Sequence, residues 1–205
     1  MKFAVFVSGN GSNLQAIIEA VKSGEIKAEL ALVFSDRRKA YALKRAKEAG
    51  IPTLCLLRKD YATPQSYERD IIIQLKEMDI DFIVLAGFMK VFTPFFIKKY
   101  PNQILNVHPS LLPSFKGARG IKDTFTYGVK VTGVTIHFAD DKMDHGPIIM
   151  QESFRIAERE TLESLEERVH QVERKIYPKA IAMFVEKRLK VSGRRVKILE
   201  KPVKK

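Results

Sequence analysis

Lys2-Phe3-Ala4-Val5-Phe6-Val7-Ser8-Gly9-Asn10-Gly11-Ser12-Asn13-Leu14 opens the chain and decides its fold. The run from Phe3 to Val7 is apolar at every position, the mark of a strand buried on both faces rather than one wetted on alternate residues. A glycine-rich turn follows, and then Leu14, Ile17, Ile18 and Val21 recur at helical spacing until Gly24. Ser12 or Asn13 is the expected cap of that helix. A strand apolar on both faces that turns directly into a helix begins a parallel sheet covered by helices on both sides.

The same alternation continues outward. Strands are expected at residues 29–34, around Leu54, and at 81–86, 103–108, 130–139 and 148–156. Helices are expected at 41–49, stopped by Gly50, at 66–78, and briefly at 94–99. Residues 161–189 contain one long helix, with Leu162, Leu165, Val169, Val172 and Ile176 as its apolar stripe and Pro178 as a kink. The glycine-bearing loop 114–124 reads as the most mobile segment. The fold class is α/β, a doubly wound, mostly parallel, Rossmann-like sheet in a single domain of residues 1–189, with 190–205 as a basic C-terminal tail.

At 205 residues, 45% hydrophobic and 29% charged, the chain has the make-up of a soluble globular domain. It has no apolar run of about 18 residues, so no membrane span is expected. The net charge of +12 raises the question of nucleic acid. Residues 186–205, however, hold nine Lys or Arg against two Glu, which is +7 of that excess. No aromatic residue interleaves with these charges, so a solvated tail is the preferred reading. The single cysteine, Cys55, excludes an internal disulfide, reads as a small buried hydrophobe, and fits a reducing cytoplasm.

Chemistry concentrates in two stretches. Asn106-Val107-His108-Pro109-Ser110-Leu111-Leu112-Pro113 ends a buried strand, and the two-residue period puts Asn106 and His108 on one face. Strand carboxyl ends are where open α/β sheets bind ligands. A carboxamide and an imidazole aimed at one point can hold the oxyanion of a polarised carbonyl. Downstream, Asp140-Asp141-Lys142-Met143-Asp144-His145-Gly146-Pro147 links two apolar strands, so Asp144 can reach His108, favour its charged form and orient it. His137 reads as mainly structural and His145 as a solvated loop residue. A metal site from His108, His137, His145 and Asp144 has no supporting spacing.

The Gly9–Asn13 loop allows more than one reading. Backbone N–H groups at a helix N-terminus form an anion site. A dinucleotide fingerprint is the rival, with Asp36 as the ribose acid, but Leu14 stands where its third glycine belongs. A tight turn without a ligand is the third. The loop alone leaves these readings open.

Together these motifs resemble those of the glycinamide ribonucleotide formyltransferases, folate-dependent transformylases of purine synthesis. The resemblance runs over residues 2–189. Asn-x-His-Pro-Ser-Leu-Leu-Pro marks the folate formyltransferase superfamily, and Ser-Gly-x-Gly-Ser-Asn narrows it to this branch or a close relative. The resemblance implies a formyltransferase fold and transfer of formyl from 10-formyltetrahydrofolate, as cosubstrate, to the amine of glycinamide ribonucleotide. It implies Asn106, His108 and Asp144 as catalytic residues. Gly11, Ser12 and Asn13 would contact the ribotide phosphate, with Glu173 as the substrate-binding acid and His170 one turn before it. Met89, Lys90, Val91 and Phe92 would wall the folate pocket, joined by Asp140, Asp141 and Asp144. For Asp140 and Asp141 a plain solvated loop is the alternative. The chain departs from the family at Pro64, where relatives often carry a folate-contacting arginine, and in the 117–122 loop, which lacks the usual histidine. The expected partners are small molecules, without metal, nucleic acid or membrane, in a cytoplasmic monomer or homodimer. A formyltetrahydrofolate hydrolase is the closest alternative, although that family usually adds an N-terminal regulatory domain. Methionyl-tRNA formyltransferase adds a C-terminal barrel, and a nicotinamide-dependent oxidoreductase is the remaining enzyme reading.

Overall fold

A computed structural model describes residues 1–201. Five strands, β1 (Lys2–Val7), β2 (Glu29–Ser35), β3 (Thr53–Cys55), β4 (Phe82–Leu85) and β5 (Ile104–His108), alternate with helices α1 (Ser12–Lys22), α2 (Tyr41–Glu48), α3 (Pro64–Glu77) and the short α4 (Pro94–Ile97). Then come α5 (Gly120–Tyr127), β6 (Val131–Phe138), β7 (Ile148–Arg155), the long α6 (Leu162–Val185), β8 (Leu189–Ser192) and β9 (Arg195–Ile198). All nine strands join one sheet in the order β3-β2-β1-β4-β5-β6-β7-β9-β8. The first five are parallel, whereas β6 runs antiparallel to both β5 and β7.

Both faces of the sheet are covered, as the apolar run of β1 requires. Phe3, Val5 and Val7 pack into one core with Leu14, Ile17, Val169 and Ile176 from α1 and α6. Ala4 and Phe6 pack into the other with Ile71, Leu75 and Phe96 from α3 and α4. Chain order reverses beside β1, whose neighbours are β2 and β4, so a crevice opens at the carboxyl ends of β1 and β4. Tyr177 of α6 is fully buried, and its single hydroxyl proton is shared between Leu85 O and Leu105 O, at 3.0 and 2.9 Å. It ties α6 to the end of β4 and to β5 one residue before Asn106.

Several local expectations are corrected. Gly11, not Ser12 or Asn13, occupies the N-cap of α1, in the left-handed region at φ 81° and with no side-chain cap. Part of the loop read as mobile is helix α5. Cys55 is half-buried on a short edge strand rather than in the core, and burial pushes its thiol up. Pro64 starts α3 behind a Thr63 cap that exchanges hydrogen bonds with Ser66. Proline at the first turn has no N–H to waste.

The largest correction is at the C-terminus. Most of the segment read as a basic tail folds as the β8–β9 hairpin; its last four residues lie outside the described residues. The signal was the alternation Leu189-Lys190-Val191-Ser192 before Gly193-Arg194 and its counterpart Arg195-Val196-Lys197-Ile198. Leu189, Val191 and Val196 pack on the core while Lys190, Arg195 and Lys197 face solvent. The charge excess is therefore partly the wet face of a charged edge hairpin, a pattern that discourages edge-to-edge pairing. Ending the chain after Arg188 should lower Tm by about 5–10 °C through lost apolar burial, measured by thermal unfolding.

Candidate active site

The antiparallel pairing of β5 with β6 places Asn106 opposite His137 and His108 opposite Thr135. Opposed residues share a face, so all four side chains crowd the same end of the sheet. The row continues onto β7, where Gln151 lies opposite Thr135. Thr135 Oγ1 donates to Ser110 O at 2.7 Å and accepts from Leu112 N at 3.0 Å, while Gln151 Nε2 donates to Leu112 O at 3.0 Å. This row locks the turn after His108, which sets the direction of its imidazole.

His108 is almost fully buried, and its Nε2 lies 2.8 Å from the carbonyl of Phe115. A carbonyl only accepts, so Nε2 carries the proton. Nδ1 is left to meet Asp144, whose Oδ2 is 3.4 Å away. The same Oδ2 accepts from Gly117 N at 2.7 Å, and Oδ1 stands 3.8 Å from His137 Nε2. Asp144 thus sits between two imidazoles, with its own backbone in the left-handed region at φ 49°. Gly146 makes that loop path possible: a Cβ there would stand 1.8 Å from Phe138 O.

His137, read from the sequence as mainly structural, is part of the site. Its Nδ1 lies 2.8 Å from Phe138 O, which again can only accept, so Nδ1 carries the proton and Nε2 presents a lone pair. Asn106 Nδ2 donates to that lone pair at 3.0 Å. This bond fixes which end of the carboxamide is nitrogen and leaves its second N–H available. Burial pushes the His137 pKa down, which keeps the ring neutral and able to accept.

Asn106, His108, His137, Asp140 and Asp144 line one cavity of about 190 Å³ with Met89, Lys90, Val91 and Phe92. The last four line it from the loop that follows β4. Phe92 is held by stacking on Phe88 and Phe96, at centroid distances of 5.3 and 4.0 Å. The wall is also tied down at Thr93, whose backbone N–H donates to the buried Glu68 at 2.7 Å. Met89 and Val91 expose more than half their surface at the mouth. Asp140 accepts from Lys142 N and pairs with His145 Nδ1 at 2.8 Å. Arg194 of the hairpin turn approaches the same imidazole to 3.0 Å, so His145 is not the solvated residue expected. Asp141 is exposed and is not among the residues that line the cavity.

Gly11, Ser12, Asn13, His170 and Glu173 form a second group. Ser12 and Asn13 begin α1 with no side-chain cap, which leaves N–H groups free for an anion. Gly11 is required by packing as well, since a Cβ there would stand 2.6 Å from that of Ala42. Glu173 is buried, and its Oε2 accepts from Asn13 Nδ2 at 2.9 Å and meets His170 Nδ1 at 3.0 Å. The hydrogen bond to Glu173 raises the His170 pKa. Asn13 Oδ1 is buried without a partner, an acceptor poised for a ligand donor. Among the described residues no group of three His, Cys, Asp or Glu side chains is placed to hold a metal.

Asp36, the candidate ribose acid of the dinucleotide reading, is nearly buried, and its Oδ1 accepts from Ser8 Oγ at 2.7 Å. That bond commits the carboxylate to the protein.

A cavity lined by Asn106, His108 and Asp144 on an antiparallel extension of a doubly wound sheet has the make-up of a group-transfer enzyme's site. The chain belongs to the formyl transferase family, whose sequence profile matches residues 1–181. It is 42% identical to phosphoribosylglycinamide formyltransferase of Bacillus subtilis, over 90% of this chain and 94% of that one. The structure of glycinamide ribonucleotide transformylase 1 from Symbiobacterium toebii superposes with a TM-score of 0.95 at 40% identity, covering 98% of this chain and 94% of the other. A formyltetrahydrofolate deformylase from Pseudomonas syringae shares the fold at TM-score 0.89 but is 24% identical, and the match covers 97% of this chain and 66% of that one.

The role of His137 is open to measurement. His137→Leu should cut kcat roughly 10–100-fold with both KM values nearly unchanged, because a misdirected Asn106 is felt at the oxyanion. A base whose folded pKa is lowered makes the protein lose stability as pH falls through the ordinary histidine range. The variant should therefore lose less unfolding free energy than the parent between pH 7 and 5, measured in urea.

Proposed function

We propose that the protein transfers the formyl group of 10-formyltetrahydrofolate to the terminal amine of glycinamide ribonucleotide, a step of purine biosynthesis. The observation that carries this reading is the convergence of Asn106, His108 and Asp144 on one cavity that residues 89–92 also line.

The ribotide phosphate rests on the free N–H groups of Gly11, Ser12 and Asn13. Glu173 and the unpartnered Asn13 Oδ1 accept hydrogen bonds from its donors, with His170 charged against Glu173. The pterin end of the folate lies against the Met89–Phe92 backbone and the loop that carries Asp140. The amine lone pair attacks the formyl carbon, and the carbonyl π pair moves onto oxygen. The free N–H of Asn106 donates to that oxyanion, and the positive charge of His108, whose Nε2–H stays on Phe115 O, stabilises it through space. Collapse re-forms the carbonyl and breaks the bond from carbon to the folate N10, which takes a proton from His108. The proton lost by the attacking amine returns to His108 by way of Asp144 and water, so the enzyme ends as it began. No covalent enzyme intermediate and no metal is required.

The hydrolase reading uses the same oxyanion site, so the nucleophile distinguishes the two. A hydrolase activates water and draws nothing from Asn13, Glu173 and His170. The purified protein should release little formate from 10-formyltetrahydrofolate alone, and should turn it over rapidly once glycinamide ribonucleotide is present, with formylated ribotide as product. Fast formate release indifferent to the ribotide would favour the hydrolase. Within the transferase, Asn106→Ala and His108→Ala should each lower kcat roughly 10²–10³-fold while calorimetry shows ribotide affinity nearly unchanged.

A further inference from the structure

Ser8 joins the end of β2 to the Met89–Phe92 wall. It follows β1 directly, immediately before the glycine loop, and is almost completely buried. Its backbone N–H donates to Gly87 O at 3.1 Å. Its hydroxyl donates to Asp36 Oδ1 at 2.7 Å and accepts from the backbone N–H of Met89 at 2.9 Å. The order of the chain is fixed by chemistry. A carboxylate only accepts, so the single hydroxyl proton of Ser8 goes to Asp36 and its lone pairs face Met89. Hydrogen bonds to an ionised acceptor are shorter and stronger than neutral ones, which holds the Ser8 rotamer. Gly87 is in the left-handed region at φ 72°, so the chain turns sharply there and the two bonds from Ser8 span the turn.

We infer that Asp36 and Ser8 are positioning residues for the formyl donor, holding the Met89–Phe92 wall at a fixed distance from Asn106 and His108. This rests on the proposal that the wall receives the folate. Asp36 acts at the end of β2, two strands from the wall, through a hydroxyl that belongs to neither binding loop. The carboxylate that would have read a dinucleotide ribose is thereby given to a different task. Both residues act on the wall and on neither reacting group. Their loss should weaken donor binding and leave the chemical step alone.

The test measures Kd for 10-formyltetrahydrofolate and for glycinamide ribonucleotide, together with kcat, in Ser8→Ala, Asp36→Ala and Asp36→Asn. Ser8→Ala and Asp36→Ala should raise donor Kd and KM about three- to tenfold, the worth of one lost hydrogen bond, with ribotide Kd and kcat within twofold of the parent. Asp36→Asn keeps an acceptor oxygen for Ser8 and should recover most of the donor affinity. Should either alanine variant fail to fold, Asp36→Asn and Ser8→Thr carry the comparison, and Ser8→Thr, which retains the hydroxyl, should keep more donor affinity than any variant without it. Unchanged donor affinity in the folded variants, or equal losses for donor and ribotide, would overturn the inference. Phe92→Ala separates the two levels: if it weakens donor binding while Ser8→Ala does not, the wall stands and the positioning role falls. If neither does, the folate wall itself is misplaced and the inference falls with it.

Discussion

The hydrogen bond from Asn106 to His137 depends on a reversal of strand direction. Had β6 continued the parallel run, a crossover would have separated it from β5, with a slanted ladder in place of direct opposition. Because β6 runs antiparallel, residue 106 faces residue 137 across one ladder rung. The amide then meets an acceptor whose tautomer is set by its own neighbouring carbonyl. Polarity passes in one direction, from Phe138 O through the His137 ring to the Asn106 amide, and ends at an N–H free for substrate. Every group in the series is buried or lines the cavity, where an unpaired polar atom is costly and an aligned one is strong.

The loops around this ladder are shaped to serve it. Asp144 adopts φ 49° and Phe115 φ 50°, a conformation that L residues with side chains visit at a cost. Phe115 thereby brings its carbonyl to His108, and Asp144 brings its carboxylate between two rings. The close pass of Gly146 over Phe138 O lets the loop return within a few residues. The strain is local and is offset by bonds that end on the two imidazoles, so a relaxed backbone at either position would move the carbonyl or carboxylate off its ring.

Much of this was legible in the sequence, for physical reasons. The apolar run of β1 announces a sheet covered on both faces. The motif from Asn106 to Pro113 carries its own strand period and its own stop, and its similarity to known formyltransferases places Asp144 with it. What could not be read was whatever depends on strand pairing. His137 looks like any histidine in an apolar strand until β6 is laid against β5, and the role of Asp36 appears only when Ser8 and Met89 are brought beside it. The hairpin from Leu189 to Ile198 was different. Its alternation is visible in the sequence, but its density of lysine and arginine masks the two-residue period.

The two subsites are held by different means, and this bears on how each substrate is selected. In the proposed reading the phosphate meets backbone N–H groups at the start of α1, where a Cβ on Gly11 would stand 2.6 Å from that of Ala42. An anion needs only that concentrated field. The formyl carbon must instead come within bonding distance of an amine and within hydrogen-bond reach of two donors at once, and small errors in position are expensive in rate. The wall proposed to carry the donor is braced from several directions: Glu68 at Thr93, the phenylalanine stack behind Phe92, and the Ser8 hydroxyl at Met89. Loose charge recognition on one side and rigid placement on the other is the division of labour that a transfer between two bound molecules requires.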